Sequence, residues 1–203
     1  GIRLRAPAVD WGPSEKIEPD AGFADRLADY ELGDREAVVL CVDLRGLEDS
    51  ACERVLKLVR EKLVERLGAK TVGWVLVRQG ISRFPADGRP LKPLAEPSGV
   101  LGKALDCGTA PFVRKSSLRW GLGYGLSLAN GAPASRGDRK VILYVGSGLY
   151  PGPRDASNLT LNNYQRIVFD AVTTRRDLSD TSRAFLEELT GMSDGTCVGC
   201  ERP

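Results

Sequence analysis

The sequence predicts an α/β fold, a three-layer, doubly wound, mostly parallel sheet with one antiparallel edge strand and helices on both faces. Three observations carry that expectation. Short apolar runs rich in β-branched residues, AVVLCV from Ala37, TVGWVLV from Thr71, KVILYV from Lys140 and IVFDAVT from Ile167, lack the polar alternation of a half-exposed strand, so they read as strands covered on both faces. Amphipathic stretches alternate with them in the order β-α-β-β-α-β-(α)-β-α-β. With 203 residues, the chain is long enough for one domain to bury a core without disulfides or metals.

Residues 1–36 carry Pro7, Pro13 and Pro19 and read as an N-terminal arm, with FADRLADYEL from Phe23 the only hint of a short helix. The first strand spans residues 37–42 and meets a single carboxylate, Asp43, before the chain turns at Gly46. In an open α/β sheet, ligands bind outside the carboxyl ends of the strands, so the Asp43 loop is where function should be legible. Val55, Leu58, Val59, Leu63 and Leu67 then recur at helical spacing, with Asp49 or Ser50 as N-cap and Gly68 as the stop.

The strand from Thr71 leads through Gly80 into ISRF, an antiparallel edge candidate, and four prolines between Pro85 and Gly99 mark a surface loop suited to partner contact. Leu118, Leu122, Leu126 and Ala129 share one face of the next helix. Its Gly121, Gly123 and Gly125 imitate a dinucleotide fingerprint but follow no strand, so close packing on the sheet explains them better. The strand of residues 139–145 ends in Gly146-Ser147-Gly148. After the strand of residues 166–173, Ser179 or Asp180 starts a last amphipathic helix, followed by a short strand at residues 195–198 and a tail at 199–203.

Lys and Arg number 29 against 27 Asp and Glu, a formal charge of +2 with the signs interspersed, which is a solvated surface rather than a nucleic-acid footprint. There is no histidine, which removes the usual general base and the commonest zinc ligand. No apolar run reaches the roughly 18 to 20 residues of a membrane helix, so membrane insertion is not expected. Beginning at Gly1, the chain fits either a removed leader or a boundary within a longer protein, and the residues name no compartment. Of the five cysteines, Cys41 reads as core, while Cys197-Val-Gly-Cys200 lacks the second pair that zinc would need and the following helix of a thioredoxin-type site. A structural or incidental role, dispensable for the fold, is the expectation.

AVVLCVDLRG, TVGWVLVRQGISRF, RKVILYVGSG and the closing RIVFDAVTTRRDLSDTSRAFLEELTGMSDGTCV together resemble, in order, the strands and loops of the von Willebrand factor type A domain, over about residues 37–198. The resemblance implies a Rossmann-like scaffold and a degenerate metal-ion-dependent adhesion site. Members that bind Mg²⁺ or Mn²⁺ use Asp-x-Ser-x-Ser, a threonine on a second loop and an aspartate on a third. Here the first motif reads Asp43-Leu-Arg45-Gly-Leu47, Ser116 or Ser117 stands near the threonine's place, and Ser147 near the third-loop aspartate's. One carboxylate, two hydroxyls and a guanidinium are not a divalent-cation site, so neither metal nor other cofactor is expected.

The resemblance thus implies a non-enzymatic protein-protein interaction or structural and assembly module, independent of metal and compatible with a place in a larger assembly. Asp43, Arg45, Ser117, Ser147, Tyr150 and Arg154 are its candidate contacts with a protein partner. A cation-dependent adhesion domain is one alternative; a Rossmann-like enzyme is another, but it would need a phosphate-binding glycine loop after the first strand. Arg45 either folds back over Asp43 or a nearby acid, or points to solvent, and the residues leave both open.

Overall fold

A computed structural model describes residues 18–78, 80–85, 118–132, 140–148, 167–191 and 193–201. Six strands form one sheet: β1 (Ala37–Asp43), β2 (Thr71–Val77), β3 (Ile81–Phe84), β4 (Lys140–Gly146), β5 (Ile167–Thr173) and β6 (Cys197–Val198). Their order is β3-β2-β1-β4-β5-β6, with every pairing parallel except β2 with β3. Among the described residues the longer helices are α1 (Phe23–Asp29), α2 (Asp49–Val59, continued by a wider turn over Arg60–Val64 and a last turn over Glu65–Leu67), α3 (Leu118–Gly131) and α4 (Asp180–Gly191). None of the described helices is long and apolar enough to cross a membrane.

The strand periodicity of two divides the core. Val38, Leu40 and Val42 pack with α1 and α2, whereas Val39 and Cys41 pack with α3 and α4. Every residue of β1 and β2 is buried, which is why these runs show no polar alternation. On α3, a Cβ added to Gly121 would overlap Val77, so that glycine is where the helix closes onto β2 rather than part of a nucleotide loop.

Helix starts are handled unequally. Ser179 Oγ accepts the Ser182 N–H at 3.1 Å, capping α4 as expected. Neither Asp49 nor Ser50 caps α2: its N-cap position is Glu48, which makes no side-chain capping hydrogen bond, and Asp49 instead pairs with Arg78 at the end of β2.

Both proposed boundaries, at residues 37 and 198, fall inside the packed body. Phe23, Leu27 and Tyr30 are buried in the core beside α2. Arg26 Nε donates to the Thr173 carbonyl at 2.8 Å and Nη2 to Asp20 at 2.7 Å, while Tyr30 OH donates to Asp170 at 2.7 Å, so this stretch is a docked helix and not an arm. At the other end Cys200 is 6% exposed and disulfide-bonded to Cys197, and its carbonyl accepts from Arg183. Cys200 is therefore packed into the fold rather than lying in a loose tail.

Burial on both faces makes β1 intolerant of charge. Val39→Asp places a carboxylate where no partner exists, costing several kcal/mol against a typical total of about 5–15. The variant is expected to lose its cooperative thermal transition by circular dichroism; a retained sharp melt would contradict the burial of Val39.

Candidate functional site

β1 and β4 lie side by side, so the loops leaving their carboxyl ends face each other across one crevice. Asp43, the last residue of β1, is 1% exposed, and a carboxylate taken out of water must find partners. Arg45 provides them. Its Nε donates to Asp43 Oδ1 at 2.8 Å and its Nη2 to Oδ2 at 2.8 Å, a two-pronged guanidinium–carboxylate pair, and its backbone N–H reaches Oδ1 at 3.2 Å. The Arg45 side chain is only 18% exposed, so of the two orientations left open by the sequence the chain adopts the one folded over Asp43.

Tyr144 completes the arrangement from β4. Its hydroxyl donates to Asp43 Oδ2 at 2.9 Å and accepts the Gly148 N–H at 3.1 Å. Gly146 makes room for it, since a Cβ there would overlap the Tyr144 phenol and stand 2.8 Å from Asp43 Cβ. Burial, with the neighbouring Asp43 charge, pushes the Tyr144 hydroxyl well above the ordinary phenol range. Burial opposes the charge on Arg45, but the Asp43 hydrogen bonds and charge outweigh it and hold the guanidinium more firmly protonated than usual. Cys41, beneath them in β1, is fully buried and its thiol is pushed up by that burial and by Asp43.

The other candidate positions separate. Leu47 belongs to the core cluster of α1 and α2, so an apolar side chain occupies that motif position. Ser147, 6% exposed, sits in the turn between Gly146 and Gly148, and its Oγ is buried without a hydrogen-bond partner. The carbonyl of Gly146 accepts the Thr174 N–H at 2.9 Å, tying this turn to the loop after β5. Ser116, Ser117, Tyr150 and Arg154 lie outside the described residues, as does all but the first residue of the 85–99 loop. Tyr144 went unnoticed in the sequence; the available signal was a phenol inside a doubly covered strand, where its hydroxyl must find a partner.

No protein-family model and no curated protein sequence matches the chain at significance. Solved structures do match. A von Willebrand factor type A protein from Catenulispora acidiphila superposes over 81% of this chain and 38% of its own, with a TM-score of 0.56 and 16% identity. An aerotolerance-related membrane protein from Bacteroides fragilis covers 80% of this chain and 90% of its own, with a TM-score of 0.53 and 11% identity. Proximal thread matrix protein 1 from the mussel byssus, solved with zinc in its metal-ion-dependent adhesion motif, covers 84% of this chain and 43% of its own, with a TM-score of 0.53 and 12% identity.

The chain has the von Willebrand factor type A fold. At these identities the likeness is one of architecture, and the type A fold leaves open what each crevice holds.

A hard cation needs several free oxygens, whereas both oxygens of Asp43 are already engaged by Arg45 and Tyr144, and Leu47 supplies none. Among the described residues no group of three or more His, Cys, Asp or Glu is placed to hold a metal ion.

Two outcomes follow from this geometry. Arg45→Ala leaves Asp43 buried without its cation, and breaking a buried pair costs about 3–5 kcal/mol, so chemical denaturation should show a loss of that order; an unchanged midpoint would mean that the fork contributes nothing. Tyr30, raised by burial and by Asp170, behaves like Tyr144. A phenol whose folded pKa is raised adds stability that is complete below the unfolded value, about 10, and is lost as pH rises beyond it. Absorbance at 295 nm should therefore show at least two tyrosines, Tyr30 and Tyr144, ionising only as the fold opens, with the melting temperature falling above about pH 10. Five tyrosines titrating together in the native protein would refute the buried phenol contacts.

Proposed function

We propose that this chain is a non-enzymatic protein-interaction or assembly module, and that it engages a protein partner at the carboxyl edge of the sheet without a divalent cation. The observation that carries the reading is the Arg45 fork on Asp43, which places a fixed positive charge where a bridging metal would otherwise neutralise the carboxylate.

Support for the non-enzymatic part comes from the chemistry of the crevice. A buried carboxylate held by a guanidinium and a phenol is committed to neither proton transfer nor nucleophilic attack, and the chain has no histidine to act as base. The turn after β1, Asp43-Leu-Arg-Gly-Leu, is not a phosphate-cradling glycine loop, which argues against the Rossmann-like enzyme. Support for interaction comes from the loops themselves. The Tyr144 hydroxyl ties the end of β4 to Asp43 at the end of β1, and the Gly146 carbonyl accepts the Thr174 N–H from the loop after β5, which offers a partner a pre-shaped surface.

A ligand that binds only the folded state raises its stability in proportion to occupancy. Thermal scans with Mg²⁺ or Mn²⁺ should leave the melting temperature unchanged from that in chelator. Capture of the partner from the source cells should survive chelator and be lost when Ser147→Tyr fills the turn. A clear upward shift with either cation, or release of the partner by chelator, would instead establish the cation-dependent adhesion reading.

A further inference from the structure

The described cysteines divide sharply. Cys41 and Cys52 take part in no disulfide among the described residues and are fully buried, whereas Cys197 and Cys200 are joined across a C-x-x-C turn at the sheet edge. Within that pair the two residues belong to unequal sites: Cys200 is buried, while Cys197, packed against the core at the sheet edge, is the more exposed of the two. Thiol–disulfide exchange requires access to one sulfur and a leaving group on the other.

The bridged turn covers the outer edge of β5, where Arg183 also donates to the Cys200 carbonyl and the Phe169 N–H to Ser193 Oγ. β6 has two residues, Cys197 and Val198, paired with Ala171 and Val172. Around them the Ala171 N–H donates to the Thr196 carbonyl at 2.8 Å, Thr196 N–H to Asp170 at 2.8 Å and Thr173 Oγ1 to the Val198 carbonyl at 3.4 Å. Gly199, at φ +91°, presses the turn against α1 and β5; a Cβ there would overlap Thr173 Oγ1 and stand 2.6 Å from Arg26 Cδ. The cross-link thus holds a two-residue strand and a left-handed turn in the one shape that fits this surface.

We propose that the Cys197–Cys200 bond is a thiol–disulfide exchange site for an external dithiol, and that its reduction loosens residues 193–201 from the edge of β5. A thiolate of the reductant attacks Cys197 Sγ, the bond to Cys200 breaks, and Cys200 leaves as a thiolate that takes a proton. The second thiolate of the reductant then attacks its own sulfur in the mixed disulfide, closing a cyclic disulfide and releasing Cys197, which is protonated in turn. Two electrons and two protons pass from the dithiol to the protein. This device does not depend on what the Asp43 crevice binds.

The test uses the full chain under native conditions. After treatment with dithiothreitol and alkylation, peptide mass mapping should show Cys197 and Cys200 newly labelled and Cys41 and Cys52 unlabelled. Reduced glutathione should leave its adduct on Cys197. Hydrogen exchange of the reduced protein should speed up at Ala171 and Thr196 by about tenfold or more, with Leu40 and Leu143 in the central strands unchanged. The Cys197→Ser, Cys200→Ser double variant should reproduce that pattern without reductant. A bond that resists dithiothreitol until denaturant is added, an adduct on Cys200, or unchanged exchange at Ala171 after reduction would each overturn the proposal.

Discussion

Asp43 lies at the meeting point of three constraints. It ends a strand covered on both faces, it faces the turn that ends β4, and a carboxylate so deeply buried must find hydrogen-bonding partners. Arg45 satisfies the third constraint, and in doing so shapes the other two. Its fork fixes the direction in which the chain leaves β1, and it leaves Oδ2 able to accept from Tyr144 as well. Tyr144 in turn fixes Gly148, and the absent side chain at Gly146 allows the phenol to lie there. The carboxyl edge is thus one hydrogen-bonded unit, built inward from a guanidinium.

Midway along β5, a second buried carboxylate is met by neutral hydrogen-bond donors. Asp170 accepts from the Tyr30 hydroxyl and from the backbone and side chain of Thr196. Three neutral donors converge on it and satisfy its oxygens away from water. The contrast explains why the two sites differ in sequence. Asp43 sits on a loop with a nearby arginine, whereas Asp170 depends on residues brought from the helix before β1 and the segment after α4.

That dependence also sets what could be read from the residues alone. The central strands and the sheet-covering helices were legible because their apolar patterns are local: Val38 and Val39 are both apolar since both faces are covered, and Leu118, Leu122 and Leu126 repeat at helical spacing on the face of α3 that packs on the sheet. Arg45 over Asp43 was nameable as one of two orientations because the partners are two residues apart. Tyr144 was not singled out, as a tyrosine in an apolar run looks like any core residue until its hydroxyl partner is known. The docking of α1 was hidden for a different reason. A seven-residue helix buries only Phe23, Leu27 and Arg26 along its length, and its decisive bonds are made to residues far along the chain.

Those distant bonds bear on how the molecule is made. Arg26 reaches a carbonyl 147 residues further on, and Tyr30 a carboxylate 140 residues further on. Contacts between positions so far apart in sequence form late, because the long loop must be closed before they repay its entropy. During synthesis from the ribosome, the first helix therefore emerges well before the strand that receives it. Until β5 is made, Phe23, Leu27 and the charged Arg26 lack part of their final surroundings, so the earliest segment of this fold waits for some of the last.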